Sequence, residues 1–327
     1  MWRQALQSIE DLSLQSRAPS KEWDAACEQF RKEPYWSGLL PYQPKPLGPL
    51  IIPVGTAFFT MLALRLICFY VLLPPVVKYA IGKSKSKTMK RKFEESAWRT
   101  LLYGFMAVFC VSTILFNEEN IKWVRDTNYL WKDFTFVEQS QNGIFEIYCL
   151  YFALYLHELL FVFIDTAGDD FTAMVIHHIV TLALLIFSYL ADLTRVGALI
   201  TILHDTSDFF LAFAKCFNYA KDTHPKAGIA ADLLFVCFTV SFYFLRLYVY
   251  PLYPLRSAIF GEACRHIICT DGEFALHKCW ATGCLAVFIP LLVGLQCLQV
   301  FWGFKLAQAV YRKVVLGKLE DHREKDD

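Results

Sequence analysis

Residues 172–214 read TAMVIHHIVTLALLIFSYLADLTRVGALITILHDTSDFFLAFA, two apolar runs joined by a short polar connection. Each run, at 172–190 and 195–214, is about as long as the roughly 20 residues that a helix needs to cross a membrane. The connection ADLTRV is short, so we expect the two helices to pack side by side and antiparallel. This stretch therefore predicts a helical membrane protein.

The composition of the whole chain agrees with this prediction. Apolar residues make up 56% of the 327 residues and charged residues only 19%, which is typical of a polytopic membrane protein. Five further apolar windows are long enough to be spans, at roughly 50–78, 97–116, 143–164, 229–252 and 280–310. We predict an all-α polytopic membrane protein with about seven transmembrane helices. The net charge of +1 argues against a nucleic-acid partner.

The predicted spans divide the chain into five parts. They are a polar N-terminal segment (1–48), a first transmembrane helix (49–80), a basic loop (81–96), a domain of six helices (97–312) and a charged tail (313–327). The basic loop contains the run GKSKSKTMKRK, and short loops rich in Lys and Arg stay on the cytosolic side of a membrane. We therefore expect the N-terminal segment in the lumen and the C-terminal tail in the cytosol.

The eleven cysteines are scattered along the chain, mostly singly within apolar runs, where a thiol behaves as a small apolar group. Their spacing does not resemble that of a zinc site. The last loop on the expected lumenal side holds Cys264, Cys269 and Cys279. An oxidising lumen would allow one pair of them to form a disulfide, and three free thiols are the alternative.

Three histidines and two aspartates lie inside the two apolar runs of the opening stretch. The first run contains His177 and His178, and the second contains His204, Asp205 and Asp208. An Asp at the centre of a bilayer costs about 2.5–3.5 kcal/mol, so ionisable residues in a span indicate a functional site. Their spacing of three and four places the second group on one half of its helix. Two antiparallel neighbours then bring both groups to a similar depth, which predicts an intramembrane site.

These residue types allow two kinds of chemistry. A neutral imidazole acts as a general base or a nucleophile, with Asp205 or Asp208 fixing its tautomer and stabilising the imidazolium. Alternatively, three histidines and an aspartate bind zinc and activate a water for hydrolysis. Against zinc, the adjacent His177 and His178 diverge by about 100° around the helix and cannot easily face one ion.

Residues 177–215 resemble the Lag1 motif of the ceramide synthases, within the wider TLC-domain superfamily. The positions that match are His177, His178, Thr181, Leu184, Ser188, Arg195, Gly197, His204, Asp205, Asp208, Leu211 and Lys215. Two positions depart, since Asp192 replaces the usual Asn and Ala212 replaces the usual Glu. The resemblance extends over about residues 90–320, through stretches such as ESAWRTLLYG and FYFLRLYVYP.

The resemblance implies a six-helix TLC-type bundle, residues 97–312, that encloses an apolar tunnel. It implies transfer of a fatty acyl group from acyl-CoA to the amino group of a sphingoid base in the endoplasmic reticulum membrane, giving dihydroceramide or ceramide. The implied catalytic residues are His177, His178, His204, Asp205 and Asp208. The implied substrate-binding residues are Thr181, Ser188, Arg195 and Lys215. Within this scheme we favour His177 as the carrier of the acyl group, or as the base in a direct transfer, while the other histidines and the aspartates handle protons.

A thioester is already activated, so we expect no metal and no cofactor beyond acyl-CoA as co-substrate. The expected partners are fatty acyl-CoA, a sphingoid base and membrane lipids, and a homodimer, a heterodimer or a small regulatory subunit stays open. Two alternative functions remain. One is a non-catalytic TLC-domain membrane protein, and the other is a zinc-dependent hydrolase similar to a ceramidase.

Overall fold

The computed structural model describes residues 46–82, 85–131, 142–168, 170–260 and 275–316. Within these ranges, seven helices are long and apolar enough to cross a membrane. In chain order the seven spans are Gly48–Ala80, Lys87–Leu115, Ile144–Phe161, Phe171–Leu190, Thr194–Ala220, Lys226–Ile259 and Ala286–Val315, the last within a helix that begins at Ala275. The prediction of an all-α polytopic membrane protein with about seven spans is confirmed for the described part of the chain.

Some predicted features lie outside the described residues. They are most of the N-terminal segment, Cys264 and Cys269, the side chain of Cys279, and the end of the charged tail. The predictions for these residues stay predictions.

The spans are longer than their apolar windows at several ends. The second span begins at Lys87, ten residues before the predicted window, where the Ser86 side chain accepts a hydrogen bond from the Met89 amide and caps the helix. The fifth span continues from residue 214 to Ala220. A hydropathy window detects only the apolar part of a helix that lies in lipid. Where a helix continues beyond the lipid, the predicted window is therefore shorter than the helix.

The bundle has two ends, which we name by their residues. The end where the first span meets the second and the fifth meets the sixth is the basic end, since Lys85, Lys221 and Lys226 lie there. The opposite end is the Asp192 end, after the residue in the turn between the fourth and fifth spans. Two short helices, Glu118–Arg125 and Thr127–Trp131, also lie at the Asp192 end, directly after the second span.

At the basic end, side chains tie together two connections that are far apart in sequence. Lys85 Nζ lies 2.7 Å from Asp222 Oδ2, and this hydrogen bond holds the pKa of Asp222 below its ordinary value. The Thr223 hydroxyl donates to the carbonyl of Ile81 at 3.2 Å. The connection between the first two spans is thereby fixed to the connection between the fifth and sixth.

The fifth span is the central element of the bundle. It packs against the second, third, fourth and sixth spans, and 61% of its most apolar window is buried, against 22% for the sixth span. The first span packs against the third, and the seventh packs against the fourth and sixth. The polar residues of the fifth span therefore face protein on several sides.

The turn between the fourth and fifth spans is tight. Asp192 has φ 56°, in the left-handed region, and the Leu193 amide donates to the carbonyl of Ser188 at 2.7 Å. Asn and Asp enter this region more readily than other residues with a side chain. Asp192 therefore preserves the turn at the position where the Lag1 motif usually has Asn, and the two spans lie antiparallel and in contact.

Candidate active site

A small, partly open cavity lies between the spans that carry the predicted site. The fourth span contributes His177, Thr181, Leu184, Leu185 and Ser188, and the fifth contributes Gly197, Ile200, Thr201 and His204. Tyr155 of the third span, and Phe288 and Leu295 of the seventh, complete the lining. The spacing of three and four along the fourth and fifth spans gives each helix one continuous stripe on the cavity. The two stripes surround a largely apolar space with histidines toward one end.

The two adjacent histidines of the fourth span lie in different surroundings. His177 lines the cavity, and its ring also packs edge-on against Trp302 of the seventh span, with centroids 5.3 Å apart. His178 is not part of the cavity lining, and the charges of Glu158 and Arg99 act on it. The ring of Tyr155 contacts both, with centroid distances of 6.0 and 5.8 Å. Side chains of adjacent residues point about 100° apart around a helix, and this places the two histidines in different surroundings.

The fifth-span residues have partners that the sequence analysis did not assign. Tyr155 donates its hydroxyl hydrogen to Asp205 Oδ1 at 2.7 Å. Nδ1 of His204 lies 2.7 Å from the carbonyl of Ile200, so Nδ1 carries the proton and Nε2 is left as an acceptor. The expectation that Asp205 or Asp208 would hold a histidine in its tautomer is wrong for His204. A backbone carbonyl one turn away takes that role.

Asp208 is paired with an arginine from the sixth span. Arg246 Nη2 lies 2.6 Å from Asp208 Oδ1 and also donates to the carbonyl of His204, while Nη1 donates to Gln299 Oε1 at 3.2 Å. Arg246 sits in the middle of a π-helical segment, Tyr243–Val249, and such segments are frequent at functional sites. The pairing neutralises the charge of Asp208 within the bundle.

Several buried polar atoms at the site have no hydrogen-bond partner among the described residues. They are Nδ1 of His177, Nδ1 of His178, Nε2 of His204, Oδ2 of Asp205 and Oγ1 of Thr181. A buried polar atom without a partner costs about 1–3 kcal/mol, and most such atoms in native proteins are satisfied by protein, water or ligand. Three of these residues, His177, Thr181 and His204, line the cavity, so their unpartnered atoms are suited to a polar group of a bound molecule.

The remaining predicted residues divide into two groups. Ser188 lines the cavity and exchanges a hydrogen bond with the Tyr148 hydroxyl at 2.8 Å. Arg195 and Lys215 do not line it, since Arg195 donates to the carbonyl of Tyr129 at 2.9 Å and Lys215 lies two turns beyond Asp208, toward the basic end. The structure thus brings seven of the nine predicted residues to the cavity or its immediate surroundings.

A second polar cluster lies beside the site, nearer the basic end, and was missed in the sequence. Arg99 contacts Glu158 Oε2 at 3.5 Å and Asp165 Oδ2 at 2.9 Å, and Arg65 of the first span also pairs with Asp165. His157 Nδ1 lies 3.3 Å from Glu158 Oε1. The rule that ionisable residues in a span indicate a site, applied to the run LYLHELLF, would have identified His157 and Glu158.

In the part of the chain that the structure describes, no three His, Cys, Asp or Glu side chains are grouped so that they could hold one metal ion. The arrangement is instead one of separate partners: phenol to carboxylate, guanidinium to carboxylate, and imidazole to a backbone carbonyl.

Together, the seven spans and the buried His and Asp residues beside an apolar cavity define a polytopic membrane protein with an intramembrane site. The family signature of the TLC domain matches residues 92–308, which is more than half of the chain. The chain therefore belongs to the TLC-domain family, and the prediction made from the Lag1 motif is confirmed at this level.

Curated relatives carry names from the same family. Ceramide synthase 5 of Homo sapiens is 34% identical over 237 residues, 72% of this chain and 53% of the relative. Ceramide synthase 4 of Bos taurus is 30% identical over 71% of this chain and 53% of its own length. Ceramide synthase 1 LOH3 of Arabidopsis thaliana is 27% identical over 83% of this chain and 88% of its own. The chain thus spans about half the length of the animal relatives it matches.

Proposed function

We propose that the protein is a ceramide synthase, which transfers a fatty acyl group from acyl-CoA to the amino group of a sphingoid base. The observation that carries this proposal is the position of His177, buried at a largely apolar cavity between spans, with an unpartnered ring nitrogen. The names of the relatives support the same activity.

The cavity suits an acyl chain with a reactive carbonyl at one end. Leucine, isoleucine and phenylalanine side chains make up much of its wall, and burial of methylenes there is favourable by about 0.8 kcal/mol each. The polar atoms of His177, Thr181 and His204 lie among these apolar groups. A fatty acyl thioester combines the same two features.

In the proposed reaction, a nitrogen of His177 attacks the thioester carbonyl, the carbon–sulfur bond breaks, and CoA leaves as the thiolate. The sphingoid amine, after losing a proton, attacks the acyl-imidazole and releases His177 with the amide formed. In the direct alternative, His177 takes the amine proton while the amine attacks the thioester. In both routes the leaving thiolate gains a proton, and the remaining histidines with Asp205 and Asp208 are proposed to move protons.

Tyr155 and Arg246 support this site from outside the Lag1 motif. Tyr155 fixes one oxygen of Asp205, and Arg246 fixes Asp208 while it also binds the backbone at His204. Preorganised partners of this kind keep catalytic groups in place without reorganisation during the reaction. Both residues are proposed as positioning residues.

The activity is tested in microsomes from a host without ceramide synthases of its own. Wild-type protein and the His177→Ala variant receive sphinganine and a panel of fatty acyl-CoAs, and N-acylated product is measured by mass spectrometry. We expect product from the wild type and a loss of about 100-fold or more in the variant, the range for removal of a nucleophile or base.

The matched control is His224→Ala. His224 lies at the basic end, where its Nε2 is 3.1 Å from the carbonyl of Tyr79, away from the cavity. We expect it to retain wild-type activity. Absence of product from well-expressed wild-type protein with every acyl-CoA would contradict the proposed function, and equal product from His177→Ala would contradict the role of His177.

The same proposal places the protein in the endoplasmic reticulum membrane, with the basic end cytosolic. The support is the concentration of Lys and Arg in the loops at that end. An epitope inserted in loop 81–86 is expected to be reached by antibody after permeabilisation of the plasma membrane alone. Staining that required permeabilisation of internal membranes would contradict this orientation.

A further inference from the structure

The cavity has one end at the histidines and one end near the turn between the fourth and fifth spans. Along the fourth span its wall runs from His177 through Thr181 and Leu184 to Ser188. These eleven steps correspond to about 16 Å of helix. Along the fifth span the lining runs from His204, at the histidine end, to Gly197, whose Cβ position lies 3.0 Å from Ser188 Oγ. The stripes on both spans therefore run from the histidines to the turn.

Behind the two lining residues at the end near the turn, Ser188 and Gly197, lies the buried phenol of Tyr148. The Tyr148 hydroxyl lies 2.8 Å from Ser188 Oγ, and a Cβ atom built on Gly197 would lie only 1.7 Å from the Tyr148 oxygen. The phenol therefore fills the space that a side chain at position 197 would occupy, between the two residues that form this end of the cavity. Tyr148 is 1% exposed.

Neighbouring rings hold this phenol in place. The ring centroids of Phe152 and Tyr189 lie 6.4 and 6.2 Å from that of Tyr148. Moving the ring would break its hydrogen bond to Ser188 and leave a buried hydroxyl without a partner, which is unfavourable. Packed interiors resist such displacement. The Tyr148 ring is therefore held rigidly behind this end of the cavity.

We propose that Tyr148, held by Ser188 and seated against Gly197, sets the longest acyl chain that the protein accepts. This inference rests on the proposed function, because it assigns the cavity to the acyl group of the donor. With the acyl carbonyl at His177, the chain lies along the stripe and its terminal methyl reaches Ser188. Each further methylene must then displace the phenol or push the carbonyl away from His177.

Two substitutions with opposite effects test the proposal. Tyr148→Leu replaces the phenol by a smaller side chain that still contacts the neighbouring rings. The space for the end of the acyl chain becomes longer, so we expect longer acyl groups to be accepted. Leu184→Phe adds bulk about one turn before Ser188, so we expect the longest acyl group accepted by the wild type to be lost. One methylene in an apolar pocket changes discrimination by roughly 10-fold or more, and we expect shifts of at least about that size.

The assay supplies sphinganine with an equimolar mixture of saturated acyl-CoAs from lauroyl to lignoceroyl, and compares the product distribution of each variant with that of the wild type. Tyr148→Phe is the conservative variant, because it removes the hydroxyl and keeps the ring. Because the hydroxyl is the atom that meets Ser188, we expect its longest product to lie between those of the wild type and Tyr148→Leu, whatever its overall rate.

The outcomes separate this inference from the proposed function. Lack of product from the wild type contradicts the proposed function itself. An active wild type with an unchanged longest product in Tyr148→Leu overturns only the inference. If Tyr148→Leu does not accumulate, Tyr148→Phe decides together with Leu184→Phe. A longer longest product in Tyr148→Phe supports the inference, and an unchanged longest product in both variants overturns it.

Discussion

At the scale of single residues, each of the two aspartates of the site has its own partner, and both partners come from another helix. Asp205 is bound by Tyr155 of the third span, and Asp208 is bound by Arg246 of the sixth. Helix spacing in the sequence predicted the depth and the shared face of the aspartates. It did not predict these partners, because spacing describes one helix and gives no information about which neighbour faces it.

The first residue-scale prediction concerns Tyr155→Phe. Loss of the hydroxyl removes one hydrogen bond of roughly 1 kcal/mol from Asp205, and we expect kcat to fall about five-fold with a changed pH profile. Initial rates across a pH series measure both effects. Tyr79→Phe, at an exposed tyrosine of the basic end, is the control. A wild-type kcat and pH profile in Tyr155→Phe would show that Asp205 needs no such positioning.

A second prediction concerns the close contact between Gly197 and Tyr148. A Cβ at position 197 would overlap the phenol oxygen, so Gly197→Ala is expected to destabilise the protein by about 1–3 kcal/mol through overpacking. Thermal unfolding in detergent measures the change. The double variant Gly197→Ala with Tyr148→Leu is expected to be less destabilised than the sum of the two single variants.

The control for this prediction is Gly294→Ala in the seventh span. An added Cβ there meets no atom within 4 Å, and alanine has the better helix propensity, so stability is expected to be equal or slightly higher. Equal unfolding temperatures for Gly197→Ala and Gly294→Ala would contradict the close contact.

At the scale of elements, hydropathy predicted the seven spans because lipid demands an uninterrupted apolar length and a helix supplies it. It could not locate their polar ends, as the cap at Ser86 shows.

The first span precedes the region that matches the TLC domain. It is nevertheless joined to that region by the buried pair of Arg65 and Asp165, and it packs on the third span.

The element-scale prediction is that Arg65→Met loosens the first span. Removal of one partner of a buried pair costs about 3–5 kcal/mol, and we expect a smaller loss, about 2 kcal/mol, because Arg99 still binds Asp165. Thermal unfolding in detergent measures it, with Arg256→Met at an exposed arginine as control. The double variant with Asp165→Asn is expected to recover part of the loss, and full additivity would argue against a direct pair.

At the scale of the whole molecule, the proposed reaction defines what the purified protein needs to contain. Since a thioester needs no Lewis acid to react with an amine, we expect dialysis against a chelator to leave the acyltransferase rate unchanged. Elemental analysis of the same sample measures bound zinc per chain. A rate that is lost with the metal and restored by zinc would support the hydrolase-like site that the sequence also allowed.

The pairing of Asp208 with Arg246 also constrains how the chain is made. The ribosome synthesises Arg246 42 residues after His204, so the arginine joins the chain later than the aspartate with which it pairs. A lone Asp in lipid is costly, and release of the fifth span into the bilayer becomes favourable once the sixth span is beside it. We therefore expect the two spans to enter the bilayer together, and a chain truncated between them to insert its fifth span less efficiently.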